Sequence, residues 1–253
     1  MNIEKRISFM GVPVDAMSMQ ETVDTILGYI ERGEAVQHVA INAAKILRII
    51  EDSEVRRTVR RCEVISADGI GVVWASRAIG CPLPERVAGI DLMDNLIMEA
   101  ANRGLKPYFF GAKQEVVEQT VVHYQERLPN LQVAGYRNGY FSKEEEQEIA
   151  EEIRDSGAHM LFVAISSPKK EIFLGHWRDV INVPFCMGVG GSFDVKSGKV
   201  TRAPLLLQKL GLEWAYRWRQ EPKRMLRRNV IDMPKFVAAV AAHRVLGLEV
   251  PSS

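Results

Sequence analysis

The sequence predicts an α/β fold: a mainly parallel sheet with helices on both faces, followed by a helical C-terminal appendage. Three observations lead there. Between residues 107 and 188, short continuous apolar runs alternate with longer amphipathic segments, and strands apolar on both sides belong to sheets buried on both faces. After Gly198 the strand signals stop and only helical patterning remains. The length of 253 residues suits one large α/β domain, or a domain of about 200 residues carrying an appendage.

From the N-terminus, ISFMGVPVD (7–15) reads as a strand or hairpin turning at Gly11, and Ser18 with Glu21 has capping-box spacing at the start of a helix over 18–32. HVAINAA (38–44) is a short strand ending in Asn42, and Ile46, Leu47 and Ile50 continue as helix. A charged helix runs through Arg60, CEVIS (62–66) is a strand opening into ADGIGV, and a helix spans 71–79. Pro82 and Pro84 mark a loop, and Asp91 sits near the next helix start. Strands at 107–111, 131–135, 159–165 and 184–188 then alternate with helices at 113–127, 142–156 and 169–178. The predicted division is a catalytic core over 1–195 and a basic helical appendage over 196–253.

Hydrophobic content of 47% and charged content of 26% are those of a soluble globule with a large core. Charge is unevenly placed. Residues 196–235 hold eleven lysines and arginines against three acids, a net of +8 in a chain whose total is +1. This asymmetry points to an anionic partner for the C-terminal end. Three cysteines without a CxxC pair suggest neither a disulfide framework nor zinc, and the scattered histidines form no metal-ligand pattern. The charged N-terminus is unlike a signal peptide and no apolar run is long enough to span a bilayer, so any membrane contact is expected to be peripheral.

In an open parallel sheet, ligands lie beyond the carboxyl ends of strands, so polar residues directly after strands are the first candidates. These are Asn42, Asp68, the group Ser166, Ser167, Lys169 and Lys170, and the glycine turn from Gly188 through Gly190 to Gly191. Asp68 reads either as a helix N-cap or as a carboxylate that takes a proton from an attacking hydroxyl. The glycine turn lacks the GxGxxG spacing of dinucleotide sites, and there is no P-loop. Arg217, Arg224 and Arg228 would share one face of an unbroken helix, although Pro222 interrupts it. Trp214 and Trp218 form an i, i+4 stripe that suits either a core or a membrane interface. A non-catalytic protein gripping nucleic acid or anionic lipid with its basic tail is the main alternative to an enzyme; a nucleotide-dependent oxidoreductase is a weaker one.

The ordered segments NAAK, ADGIGVVWA, PERVAGIDL, FFGA, SSPKKE, GVGGSFDVKSGKVTRAP and GLEWAYRWRQEPKRMLRR together resemble the WecG/TagA/CpsF glycosyltransferase family over about residues 8–230. The resemblance implies a Rossmann-like core and metal-independent, inverting transfer from a UDP-sugar to a polyprenyl-diphosphate-linked saccharide in bacterial surface-polysaccharide assembly. N-acetylmannosamine, its uronic acid and glucose are the sugars considered, with no cofactor and no nucleic-acid partner expected. It implies Asp68 as general base, Asn42 and Arg86 lining the site, and Arg217, Arg224 and Arg227 on a diphosphate. Gly190 and Gly191 would form the floor under the sugar nucleotide, with Lys170 as a further substrate contact. The implied location is the inner face of the plasma membrane, reached peripherally from the cytoplasm through the C-terminal segment, with homo-oligomerisation left open. Two departures stand out: Ala40 where many members have Thr, and Lys170 where many have Gln. Lysine replaces an amide that donates and accepts with a cation that only donates.

Overall fold

Side chains alternate across each strand, and here that alternation sorts the core onto two sides of one sheet. The structure is a computed structural model describing residues 5–247 except 210, 221, 223–225 and 227, and without the side chains of 209, 228 and 229. The main sheet is built from β3 (Val36–Ile41), β4 (Val64–Ala67), β5 (Pro107–Gly111), β6 (Gly135–Arg137), β7 (Met160–Ala164) and β8 (Phe185–Gly188). Their spatial order is β4-β3-β8-β7-β5-β6, and every pairing is parallel.

On one face, Phe109, Phe162, Phe185 and Met187 pack with α1 (Met19–Glu31), α5 (Gly89–Arg103) and α6 (Gln114–Arg127) through Ile26, Leu96 and Val117. The intervening residues Tyr108, Phe110, Leu161, Val163 and Cys186 face the other way, onto α7 (Glu146–Asp155) and α8 (Lys169–Ile181). Beside them, Val39, Ile41 and Ile65 pack under α2 (Ala43–Glu51), α3 (Ser53–Arg60) and α4 (Ile70–Ala78). The parallel sheet with helices on both sides is therefore present.

The N-terminal hairpin joins β1 (Arg6–Phe9) to β2 (Val12–Asp15), with Met10 and Gly11 both at positive φ in its two-residue turn. Ser18 and Glu21 form the reciprocal capping box that starts α1. The expected strand at 131–135 is corrected. Leu131 is buried as part of the lead-in, and pairing begins only at Gly135. A Cβ at Gly135 would lie 2.7 Å from the Tyr108 ring, so the edge strand meets its neighbour where a glycine lets it cross that ring.

Beyond β8 the described chain is helical: α9 (Ser192–Lys196), α10 (Leu205–Lys209), α11 (Glu213–Gln220), a π-helical turn at Arg228–Asp232 and α12 (Met233–Leu246). Phe236 of α12 is buried among Ile46, Ile49 and Val72, which fixes the last helix against the sheet's flank.

Candidate active site

The carboxyl ends of β4, β3 and β8 lie side by side. Turns lead from β3 and β4 into α2 and α4, and the first turns of these helices and of α5 line one cleft, where the positive ends of the helix dipoles gather. The cleft is about 470 Å³, within the range of small-ligand sites. Asn42, Asp68, Arg86, Lys170, Gly190, Gly191 and Arg217 all line it. Arg224 and Arg227 lie outside the described residues.

Asp68 follows β4 and is held by its backbone N–H, which donates to Ile41 O at 2.8 Å. The N-cap of α4 is Gly69, so Asp68 stands one residue too early for the capping role. Its Oδ2 is 3.7 Å from where a Cβ on Gly89 would sit, which puts the carboxylate over the first turn of α5. Asn42 is the residue that caps: its Oδ1 accepts from the Lys45 N–H at 3.1 Å. Its amide NH₂ is the group left to donate towards a ligand.

Of the four polar residues predicted after β7, only Lys170 reaches the cleft. Ser166 and Ser167 do not line it, and Lys169 turns away, its ammonium 3.5 Å from the centre of the Phe141 ring. Lys170 passes over the end of β8, where a Cβ on Gly188 would lie 2.9 Å from its Cε. A buried ion cluster stands behind it. Lys45 pairs with Glu171 Oε1, and Lys170 Nζ lies 3.7 Å from the same oxygen. Burial and the nearby Lys45 lower the Lys170 ammonium to about 8, against partial support from Glu171 and Asp68. Burial pushes the Glu171 carboxyl up, but the two lysines outweigh it and hold it below its ordinary value. Lys170 also walls a space of about 10 Å³ behind the cleft, which His38 and Glu171 share.

Arg202, Glu213, Trp214 and Arg217, from the chain after α9, also line the cleft. Arg86 from the core pairs with Glu213 at 2.5 Å. Arg202 grips Asp91 through two bonds of 2.6 and 2.7 Å and approaches Glu213 at 3.4 Å. Through Glu213 and Arg202 these contacts tie α11 to the loop that follows α4 and to α5. Trp214 and Trp218 pair at 6.5 Å between ring centroids, and Trp214 is exposed beside the cleft rather than in the core.

The chain matches the "Glycosyl transferase WecG/TagA/CpsF family" over residues 7–248. It belongs to that family. The glycosyltransferase is also 34% identical over 215 residues to a Bacillus spizizenii protein named N-acetylglucosaminyldiphosphoundecaprenol N-acetyl-beta-D-mannosaminyltransferase, covering 85% of this chain and 82% of that one. Its fold and class of activity thus agree with what the motifs implied.

Lys45, Glu171, Arg202, Glu213 and Asp91 belong to the glycosyltransferase's cleft and its surroundings, although the sequence does not mark them as site residues. All five lie in the NAAK, SPKKE, RAP, GLEW and GIDL segments. What a single sequence lacks is the pairing, since Arg202 and Asp91 are 111 residues apart and Lys45 and Glu171 are 126 apart.

Proposed function

We propose that this glycosyltransferase moves a sugar from a UDP-sugar to a polyprenyl-diphosphate-linked saccharide, with Asp68 as the general base. The observation that carries the reading is the gathering of Asp68, Asn42, Arg86, Lys170 and Arg217 around one cleft at adjoining strand ends. In the reaction, the acceptor hydroxyl oxygen bonds to the anomeric carbon as the bond to UDP breaks, inverting that centre. The hydroxyl proton passes to the Asp68 carboxylate. Charge developing on the departing diphosphate is met by the arginines and by helix N-terminal N–H groups, which are prearranged and need no metal. Addition of a chelator is accordingly expected to leave the rate unchanged.

The donor and acceptor follow the relative's name, which specifies N-acetylmannosaminyl transfer to N-acetylglucosaminyl-diphospho-undecaprenol. With Lys170 in the cleft, the uronic acid of that sugar and glucose are tested alongside it. Residues 196–253 act as an appendage that closes the site and rests on the membrane surface. Exposed Leu205, Leu206, Val237, Val245 and Leu246 together with the basic charge support that placement. No described helix is long and apolar enough to cross a membrane.

The test incubates purified protein with labelled UDP-sugars and short polyprenyl-diphosphate saccharides and identifies the lipid product. Asp68→Asn is expected to lower kcat by about 10²- to 10⁴-fold with an unchanged melting temperature. Near-normal transfer by that variant would remove Asp68 as the base.

A further inference from the structure

Glu213 engages two arginines of the cleft at once. Its Oε2 lies 2.5 Å from Arg86 Nη1, and its Oε1 lies 3.4 Å from Arg202 Nε. All three residues line the cleft. A carboxylate bridging two guanidiniums presents its oxygens much as a phosphoryl group does, and the arginine fork matches either. A phosphoryl group meeting the same two forks would therefore have to take the place of that carboxylate.

Other contacts hold α11 to the core without passing through Glu213. At the end of α11, Gln220 donates to Thr201 O at 2.9 Å and accepts from the Thr201 N–H at 3.2 Å. Next to Thr201, Arg202 is gripped by Asp91 of α5 through both terminal nitrogens. Before α11, Gly211 lies so close to α4 that a Cβ on it would be 3.0 Å from Ile70 Cγ2. The Arg86–Glu213 pair itself is partly solvated, at 18% and 26% side-chain exposure, and such pairs contribute little to stability. Glu213 can thus release its arginines with α11 still in place.

We propose that Arg86 and Arg202 form an anion subsite for a phosphoryl group of the donor, and that Glu213 is its internal occupant, displaced when the nucleotide diphosphate binds. The inference rests on the donor being a UDP-sugar, and it adds Arg202 and Glu213 to the residues that govern donor binding. Asp91 keeps Arg202 in position throughout, because it uses nitrogens other than the one shared with Glu213. An occupant that must leave lowers the apparent affinity of the ligand that replaces it.

The test is calorimetric titration of UDP, with uridine as the phosphate-free control, into the wild type, Glu213→Gln, Arg86→Gln and the double variant, each first shown to be folded by its melting curve. Glu213→Gln is expected to bind UDP about 5-fold more tightly and to bind uridine as the wild type does. In the Arg86→Gln background that gain is expected to vanish, because one fork of the subsite has gone. UDP affinity that is unchanged or weakened in Glu213→Gln overturns the proposal, since the carboxylate would then be orienting the arginines rather than occupying their place. So does a gain that persists without Arg86, which is a through-space charge effect. If UDP binds none of these proteins, the UDP-sugar reading fails and the inference falls with it, an outcome distinct from the other two.

Discussion

At the scale of single residues, burial decides which groups do chemistry. His38 shares one hydrogen bond with Ser66 at 2.8 Å and is otherwise enclosed, so its imidazole is lowered to about 3 and stays neutral in the fold. The unfolded chain takes up that proton below about 6.5 while the folded one does not. The resulting stability is complete above pH 6.5 and is lost as pH falls towards about 3, at about 1.4 kcal/mol per pH unit. Urea midpoints measured across that window should flatten by one proton's slope in His38→Gln. Cys62 and Cys186 are likewise raised to about 12 by burial and are inert thiols. Gly188→Ala offers a second residue-scale test, since the new methyl would meet only the flexible stem of Lys170. It should cost about 1 kcal/mol of stability and, by displacing the ammonium, about 10- to 100-fold in kcat/KM. A variant that is active but unstable would contradict that reading.

At the scale of elements, the cleft is a meeting of helix starts from the sheet with the wall that α11 adds. The connection depends on Arg202, whose two bonds to Asp91 and reach to Glu213 join the appendage to α5 and, through Glu213, to Arg86. These side chains are partly solvated, so Arg202→Ala should change stability by about 1 kcal/mol or less. Its effect should instead appear as faster proteolysis between α9 and α11 and a KM for the donor raised about 10-fold. Unchanged KM with unchanged cleavage would show that the tie does not hold the wall. Neither residue of the α1 capping box lines the cleft, and Ser18→Ala should cost about 1 kcal/mol with no effect on turnover.

At the scale of the molecule, one sheet carries Asp68, the proposed base, while residues of a later, basic segment also line the cleft. Removal of residues 196–253 is expected to leave a folded core that transfers poorly, because Arg202, Glu213 and Arg217 leave with it. That core should be less stable, since Phe236 is withdrawn from the cluster around Ile46 and Val72; Phe236→Ala alone should cost about 3 kcal/mol. Full transfer by the truncated protein would refute the closing role of the appendage. Flotation of the intact and truncated proteins with anionic vesicles tests the membrane placement separately, with binding expected only for the intact chain.

The parallel sheet, the order of its elements and the strand-end positions of Asn42, Asp68 and Gly190 are all legible in the residues alone, because hydrophobic period, caps and turn glycines are local signals. The same signals place the 131–135 strand too early, since the burial of Leu131 and Val133 looks the same whether or not their backbone is paired. Folding in three dimensions is what turns Lys169 to an aromatic ring and sends Lys170 into the cleft. It also sets Glu171, Arg202 and Glu213 against charges more than a hundred residues away in sequence. The reason is physical: a side chain's neighbours on its own element follow from periodicity, whereas the partner of a buried or cross-linking charge depends on which strands the sheet sets side by side.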